Sequence, residues 1–466
     1  MHDIGKNIVG VVLACNNFDV IDLGVMVPMQ TIIDTAHKEQ VDIVGLSGLI
    51  TPSLREMTKV AQGLHQQSSS LPLLIGGATT SRVHTALKIE PEYCTAPTIW
   101  VKDASRAVGV AQKILSNKAE EYIEEIKTDY AMVRNQHANK SKPKNLLSIK
   151  QARENAARLN WDEQKTLKPK HTGVKVLDNI DLASLLDVID WQPFFASWEM
   201  NGKFPDLLND PIKGKPARAL FEDAKAMLKI IIDEKWLTAK AVIGIYPAKR
   251  DIDDVHIYTD EIRQDRLGTL CFLRQQNAKR NTSPNQCLAD FITDDEQISD
   301  WVGMFAVTTG HGIETHVKRF EEANDDYNAI LLKALADRLA EALAEWLHRE
   351  IRTRYWGYVS DEQLDTAQLT REEYQGIRPA PGYPACPDHT EKLKIFKYLD
   401  VEKNIGVNLT ESMAMYPTAA VSGYYFSHPE SRYFVVGQIG KDQLADYAKR
   451  KTWSSDEAEQ WLANNL

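Results

Sequence analysis

Apolar side chains at Ile4, Ile8, Val11, Val12 and Leu13 recur at helical spacing and predict a buried amphipathic helix over 4–14. FDVIDLG (18–24) predicts a short strand, and PMQTIIDTAHKEQ a helix with Pro28 at its start. DIVGLSG (42–48) predicts a buried strand. TPSLREMTKVAQGLHQ then predicts a helix capped by Thr51 or Ser53. LPLLIGG (71–77) and TIWVKD (98–103) predict two more strands, each followed by a helix, ATTSRVHTALKIE and ASRAVGVAQKILS. Helix and strand alternate throughout residues 1–117. That pattern predicts an open parallel sheet with helices on both faces.

The count is four strands and five helices, with a helix first. In a flavodoxin-like (Rossmann-type) order the first strand is central. The expected α/β domain over 1–117 therefore lacks its first strand, which would precede residue 1. Residues 118–150 shift in composition. EEYIEEIKTDY is acidic and helical, whereas HANKSKPKNLL is basic and aperiodic, so the stretch reads as a solvated interdomain linker.

From about residue 151 the alternation stops. IGIYPA and VHIYTD predict an antiparallel pair joined through the turn KRDIDD. GMFAVTTG, SGYYFSHP and RYFVVGQI predict further strands, and SSDEAEQWLANNL a capped terminal helix. The longest helix covers 326–354. It carries one stripe of Leu331, Leu335, Leu339, Leu343, Trp346 and Leu347, with Lys, Arg and Glu opposite. These irregular blocks predict an α+β domain over 151–466 with a mostly antiparallel sheet.

Composition narrows the class. Hydrophobic residues make up 43% and charged residues 26% of 466, ordinary for a globular protein. A formal charge of −10 argues against general affinity for nucleic-acid phosphates. Five scattered cysteines predict a reduced, cytoplasmic protein, and no apolar run approaches membrane-spanning length.

Ligands of such parallel sheets bind beyond the carboxyl ends of the strands. The residues there include Gly5, Ser47, Gly76, Gly77 and Ala104, small enough for close backbone approach. Each Gly or Ser taken alone reads equally as turn chemistry. Their spacing is more specific. His2-x-x-Gly5, 41 residues, Ser47-x-Leu49, 26 residues and Gly76-Gly77 together resemble the cobalamin-binding fingerprint of methionine synthases and related corrinoid proteins. The resemblance implies that His2 is the lower axial ligand of cobalt. Ser53 belongs to the ligand's proton relay, Ser47, Gly76 and Gly77 line the slot for the displaced nucleotide tail, and Leu49 is a further cobalamin contact. It also carries cobalamin contacts onto Asp3, Gly5, Thr51 and Ala104. The family's carboxylate partner of the histidine would fall before Met1.

In the second domain, IRPAPGYPACPDHTEK (377–392) packs four prolines and a glycine into a rigid extended loop. Arg378 can fork to a carboxylate and Tyr383 offers a stacking face. The segment, with DWQPFF (190–195), YWGY (355–358), NLTES (408–412) and SGYYFSHP (422–429), resembles the S-adenosylmethionine-binding activation domain of the same family. By that resemblance Asp190 holds the ligand's amino group and Arg378 its carboxylate. Tyr433 and Phe434 meet the nucleoside end, and Tyr383 lies near the corrin's upper face when the domains meet.

Three half-motifs, His311/Glu314/His316, Cys386/His389 and Glu345/His348, have metal-ligand residue types without a complementary half, and read as surface or turn residues. The resemblance covers practically the whole chain. It implies the C-terminal part of a cobalamin-dependent methionine synthase, which binds cobalamin and supports its reductive methylation by S-adenosylmethionine. It also implies a flavodoxin or flavoprotein reductase as electron donor. Homocysteine, folate and cap domains would lie elsewhere, and zinc belongs to the homocysteine domain. A stand-alone corrinoid-binding carrier or reactivation subunit working with separate substrate subunits is the alternative.

Overall fold

The structure, a computed structural model, describes residues 4–140, 145–161, 166–279 and 283–466. It divides into two compact units, residues 1–144 with 324–330 and residues 145–323 with 331–466.

In the first unit, β1 (Val44–Ser47), β2 (Leu73–Gly76) and β3 (Thr98–Trp100) form a parallel sheet in the order β1-β2-β3. Side chains alternate across a strand, and β2 shows why both faces are covered. Leu73 and Ile75 enter one core with Ile33, Leu54 and Leu64 from the helices Met29–Lys38 and Thr51–Gln66. Leu74 enters the other with Ile99, Ala107 and Ile114, against Val9 and Leu13 of the helix Ile4–Ala14. Each fully buried Leu or Ile contributes about 1.5–3 kcal/mol.

Three expectations change here. FDVIDLG (18–24) forms no strand, because a strand needs a neighbour to complete its ladder. β1 pairs with β2 on one edge, and no described residue supplies a strand beside 18–24. Val20, Ile21 and Leu23 stay 39%, 46% and 38% exposed. Secondly, the helix Thr51–Gln66 is preceded by Ile50, which has no capping side chain. Thirdly, part of the 118–150 stretch is structural. The helix Ala119–Lys140 buries Tyr130 and Val133. The Tyr130 hydroxyl accepts from Trp100 N on β3 at 2.9 Å, and Arg134 donates to Ala86 O and Glu90. A side chain thus satisfies a donor on the edge strand.

The second unit is built on a six-stranded sheet of β4 (Gly173–Ile180), β5 (Thr238–Asp251), β6 (Asp254–Tyr258), β7 (Arg266–Cys271), β8 (Asp300–His311) and β11 (Ala420–Tyr425). Its order is β11-β8-β5-β6-β7, with β4 also on β5, and every pairing is antiparallel. β9 (Asn408–Leu409) and β10 (Met415–Tyr416) make a separate small ladder. β5 is long enough to pair with β4 through its first half and β6 through its second. The turn between β5 and β6 shrinks to Ile252–Asp253, because the strands extend through most of KRDIDD. RYFVVGQI (432–439) forms no strand. Its backbone is tied singly, Val435 O to Gln275, Val436 N to Pro384 O and Ile439 N to Asn465 O, rather than along one neighbour.

The helix Asp326–Glu350 buries the predicted leucines, and also Asp337, Arg338 and His348. It is therefore enclosed on more than the one stripe its pattern predicts. A second polar group lies deep in this unit. Arg274 pairs with Asp253 at 2.6 Å and forks to Asp290 at 2.7 and 2.7 Å, all fully buried. Buried charges persist only when paired and hydrogen-bonded in this way.

Candidate functional site

At the carboxyl end of the parallel sheet, β1 closes on Ser47 and β2 on Gly76, which are register partners. Gly48 N donates to Gly76 O at 2.9 Å, and Thr79 N to Gly48 O at 3.3 Å. Gly77 has φ +101, and a Cβ there would sit 2.3 Å from Gly48 O. Only glycine permits this backbone contact. Around Gly48 lie Ser53, Met57 and Thr79, whose Cβ or tip atoms a Cβ at Gly48 would crowd. Thr79 Oγ1 is buried with no hydrogen-bond partner in the structure. Buried hydroxyls usually have a partner, so this one is a free donor or acceptor for a bound group. Trp100 Nε1 donates to Thr80 Oγ1 at 3.1 Å, and Thr80 Oγ1 donates to Gly77 O at 2.8 Å, bracing the same loop.

The structure thus brings Ser47, Ser53, Gly76 and Gly77 to one edge. Leu49 follows directly on the β1 turn and is half-buried. Ala104 is buried at the first turn of the helix after β3, where Asp103 accepts from Arg106 N. Gly5 lies exposed on the helix Ile4–Ala14, which packs on the helix Ala104–Ile114. His2, Asp3 and the Thr51 side chain lie outside the described residues. Gly48 and Thr79 fall within the strand-end segments 47–53 and 76–80 that the sequence places at this edge, without an individual role for either. Their signal is the paired SG and GG turns that close adjacent parallel strands.

In the second unit, the proline-rich loop is attached to the end of β11. Ile377 N donates to Phe426 O and Phe426 N to Ile377 O, and Tyr424 N donates to Pro379 O. Arg378, between those anchors, donates its backbone N–H to the Tyr433 hydroxyl at 2.9 Å. Its Nη2 donates to Glu345 Oε2 at 3.1 Å. Burial opposes the Arg378 charge, but Glu345 and further neighbours outweigh it and raise its pKa, so the guanidinium stays protonated. Its Nε is buried without a partner. One face of the fork is therefore anchored while other donors remain for an incoming carboxylate.

Tyr383 is 55% exposed on the same loop. At Gly382, φ +94, a Cβ would fall 2.2 Å from the His389 ring, so the turn closes on that imidazole. Phe434 meets Phe291 edge-on at 6.3 Å. Asp190 accepts from Gln192 N at 2.9 Å, ahead of the helix Gln192–Ser197. Nothing described joins Asp190 to Arg378.

The half-motifs change character. Among the described residues no group of three or more His, Cys, Asp or Glu is placed to hold a metal. Cys386, His389 and His348 are buried, not surface residues. His316 stacks on Trp236 at 4.2 Å, and Glu314 accepts from the Tyr416 hydroxyl. All five cysteines are free, and no helix among the described residues is long and apolar enough to cross a membrane.

Comparison with known proteins bears on both units. The family model described as the vitamin B12 dependent methionine synthase activation domain matches residues 181–452. The model described as a B12 binding domain matches residues 1–93. Among solved structures, the MetH reactivation domain bound to AdoHcy is 47% identical with a TM-score of 0.67. The match covers 69% of this chain and 98% of that one.

Proposed function

The chain belongs to the vitamin B12-dependent methionine synthase activation-domain family, and from that premise we propose that it binds cobalamin through its first unit and S-adenosylmethionine through its second. It acts as the C-terminal, reactivating part of a methionine synthase. The observation that carries the reading is the presence of both modules, in that order, on one chain. A stand-alone carrier would need only the first, whereas a stand-alone reactivation subunit would share both. When bound, cobalamin supplies a cobalt centre that takes up and hands on a methyl group.

The rest is the work of this chain's residues. Small residues at Ser47, Gly48, Gly76 and Gly77 suit a flavodoxin-like arrangement in which the cofactor's nucleotide tail lies along the sheet edge. The free Thr79 hydroxyl supports the fit. His2 would hold the cobalt through its imidazole, with Ser53 in its proton relay. In the second unit Arg378 would bind the amino-acid carboxylate, held from behind by Glu345 and through its backbone by Tyr433. Asp190 would take the amino group. A flavodoxin-type donor would supply one electron, and S-adenosylmethionine held by Arg378 and Asp190 would supply the methyl group and remain as S-adenosylhomocysteine. The five free cysteines support a reducing, cytoplasmic setting.

Two titrations test this. Calorimetry with S-adenosylmethionine should show binding that Arg378→Ala weakens at least about tenfold, since a hydrogen bond to a charged group contributes about 1.5–3 kcal/mol. An absorbance titration with cobalamin should show a shift that Arg378→Ala leaves intact. Absence of both signals in the unaltered chain would overturn the proposal.

A further inference from the structure

The buried face behind Arg378 holds more polar atoms than its own hydrogen bonds satisfy. Glu345 lies on the helix Asp326–Glu350, 12% exposed at its side chain, with Oε2 on Arg378 Nη2. Its Oε1 has no hydrogen bond and stands 3.9 Å from Arg352 Nη1. Arg352 is fully buried and pinned by a fork to Glu362, at 2.5 Å from both Nε and Nη2. The face of Tyr374 lies 4.5 Å from the Arg352 guanidinium. The charges run Arg378, Glu345, Arg352, Glu362 in alternation. His348 fills the space beside them, stacked on Tyr425 at 5.2 Å and edge-on to Tyr374 at 4.8 Å. Burial, with Arg352 and Arg378 nearby, keeps it neutral, so it adds no charge to the series.

The chain is ordered from its buried end. Arg352 cannot turn toward ligand, because Glu362 holds it twice. Glu345 is therefore fixed between a pinned arginine and a partly exposed one. Arg352 Nη1 also lacks a hydrogen bond but is fully buried, so Arg378, 21% exposed at its side chain, is the arginine of the series that a ligand can reach. A guanidinium on a long flexible stem binds more tightly when its orientation is set in advance.

Building on the S-adenosylmethionine reading of the site, we propose that Glu345 is a positioning residue for Arg378. It fixes Nη2 from behind and leaves the remaining donors for the ligand's carboxylate. Glu345 itself does not touch ligand, so its influence is confined to ligands that carry that carboxylate.

The test uses the full chain and two probes: S-adenosylhomocysteine, and S-adenosyl-3-thiopropylamine, the same molecule without its carboxylate. Glu345→Met keeps volume but removes the acceptor. It should weaken S-adenosylhomocysteine roughly tenfold, the size of one lost charged hydrogen bond, and leave the amine probe unchanged. Glu345→Gln keeps an acceptor in place and should restore most of that affinity. Should Glu345→Met not fold, Glu345→Asp, which draws the charge back by one methylene, must show the same selective loss. Equal losses for both probes would mean a role in the fold alone and overturn the proposal, as would no loss for either. An unaltered chain that binds neither probe would instead overturn the reading of the site, and this proposal with it.

Discussion

In the first unit the candidate residues are small and sit where parallel strands end. In the second they are charged or aromatic, and the arginine among them is backed by buried partners. Gly48 and Gly77 act by what they lack, since a Cβ would fill the backbone contact. Arg378 offers what it carries, a guanidinium with Glu345, Arg352 and Glu362 ranged behind it. Among the described residues the parallel sheet has one strand, β2, bonded on both sides, whereas the antiparallel sheet has three, β8, β5 and β6. The lesson is that a close-approach slot can be built from backbone alone, while a charged clamp requires a hydrophobic enclosure large enough to bury its supports.

The most severe way to break the contrast is Arg274→Ala. It removes the partner that Asp253 and Asp290 share, leaving Arg153 on the first and Arg250 on the second, and breaking a buried pair costs about 3–5 kcal/mol. Hydrogen exchange should accelerate across β5–β8 while β1–β3 keep their protection.

Next is a pH effect at Asp300. Burial pushes its carboxyl up to about 7, against the lowering effect of the Thr293 and Trp301 backbone donors. The folded state therefore holds a proton that the unfolded state releases near the ordinary carboxylate range. The contribution is complete below that range and is lost as pH rises through about 7, a few kcal/mol in all. Denaturant melts from pH 4 to 8 should show a decline in the second unit that Asp300→Asn flattens.

In the first unit Gly77→Ala should cost about 2 kcal/mol, combining a left-handed backbone with overpacking. It should also abolish the cobalamin-induced absorbance shift while S-adenosylmethionine still binds. Retained cobalamin binding at full stability would show that the close contact is not needed.

The smallest effect belongs to Arg82 and Asp129, paired at 3.2 Å on the surface of the first unit. Arg82→Ala should change stability by under about 1 kcal/mol, and less in high salt. A larger loss would mean that this unit too depends on charge pairs.

Legibility followed the same division. The alternation of helices and strands, and the SG and GG turns, were readable because period and glycine act locally. FDVIDLG and RYFVVGQI misled because strand character was present while a ladder partner was not. Glu345 and His348, half of a metal-ligand motif by residue type, read as surface or turn residues. Their shared face with Arg352, at spacings of three and four, was the available signal for a buried network.

By itself the sequence determined the two fold classes, the residue types at the strand ends and the rigid loop bearing Arg378. Those depend on neighbours within a few positions. Only the tertiary structure decided that Thr79 keeps a buried hydroxyl free and that Glu345 stands behind Arg378, 33 residues away in the chain. Burial converts an ordinary surface charge into a fixed one, and burial is a property of the packed whole.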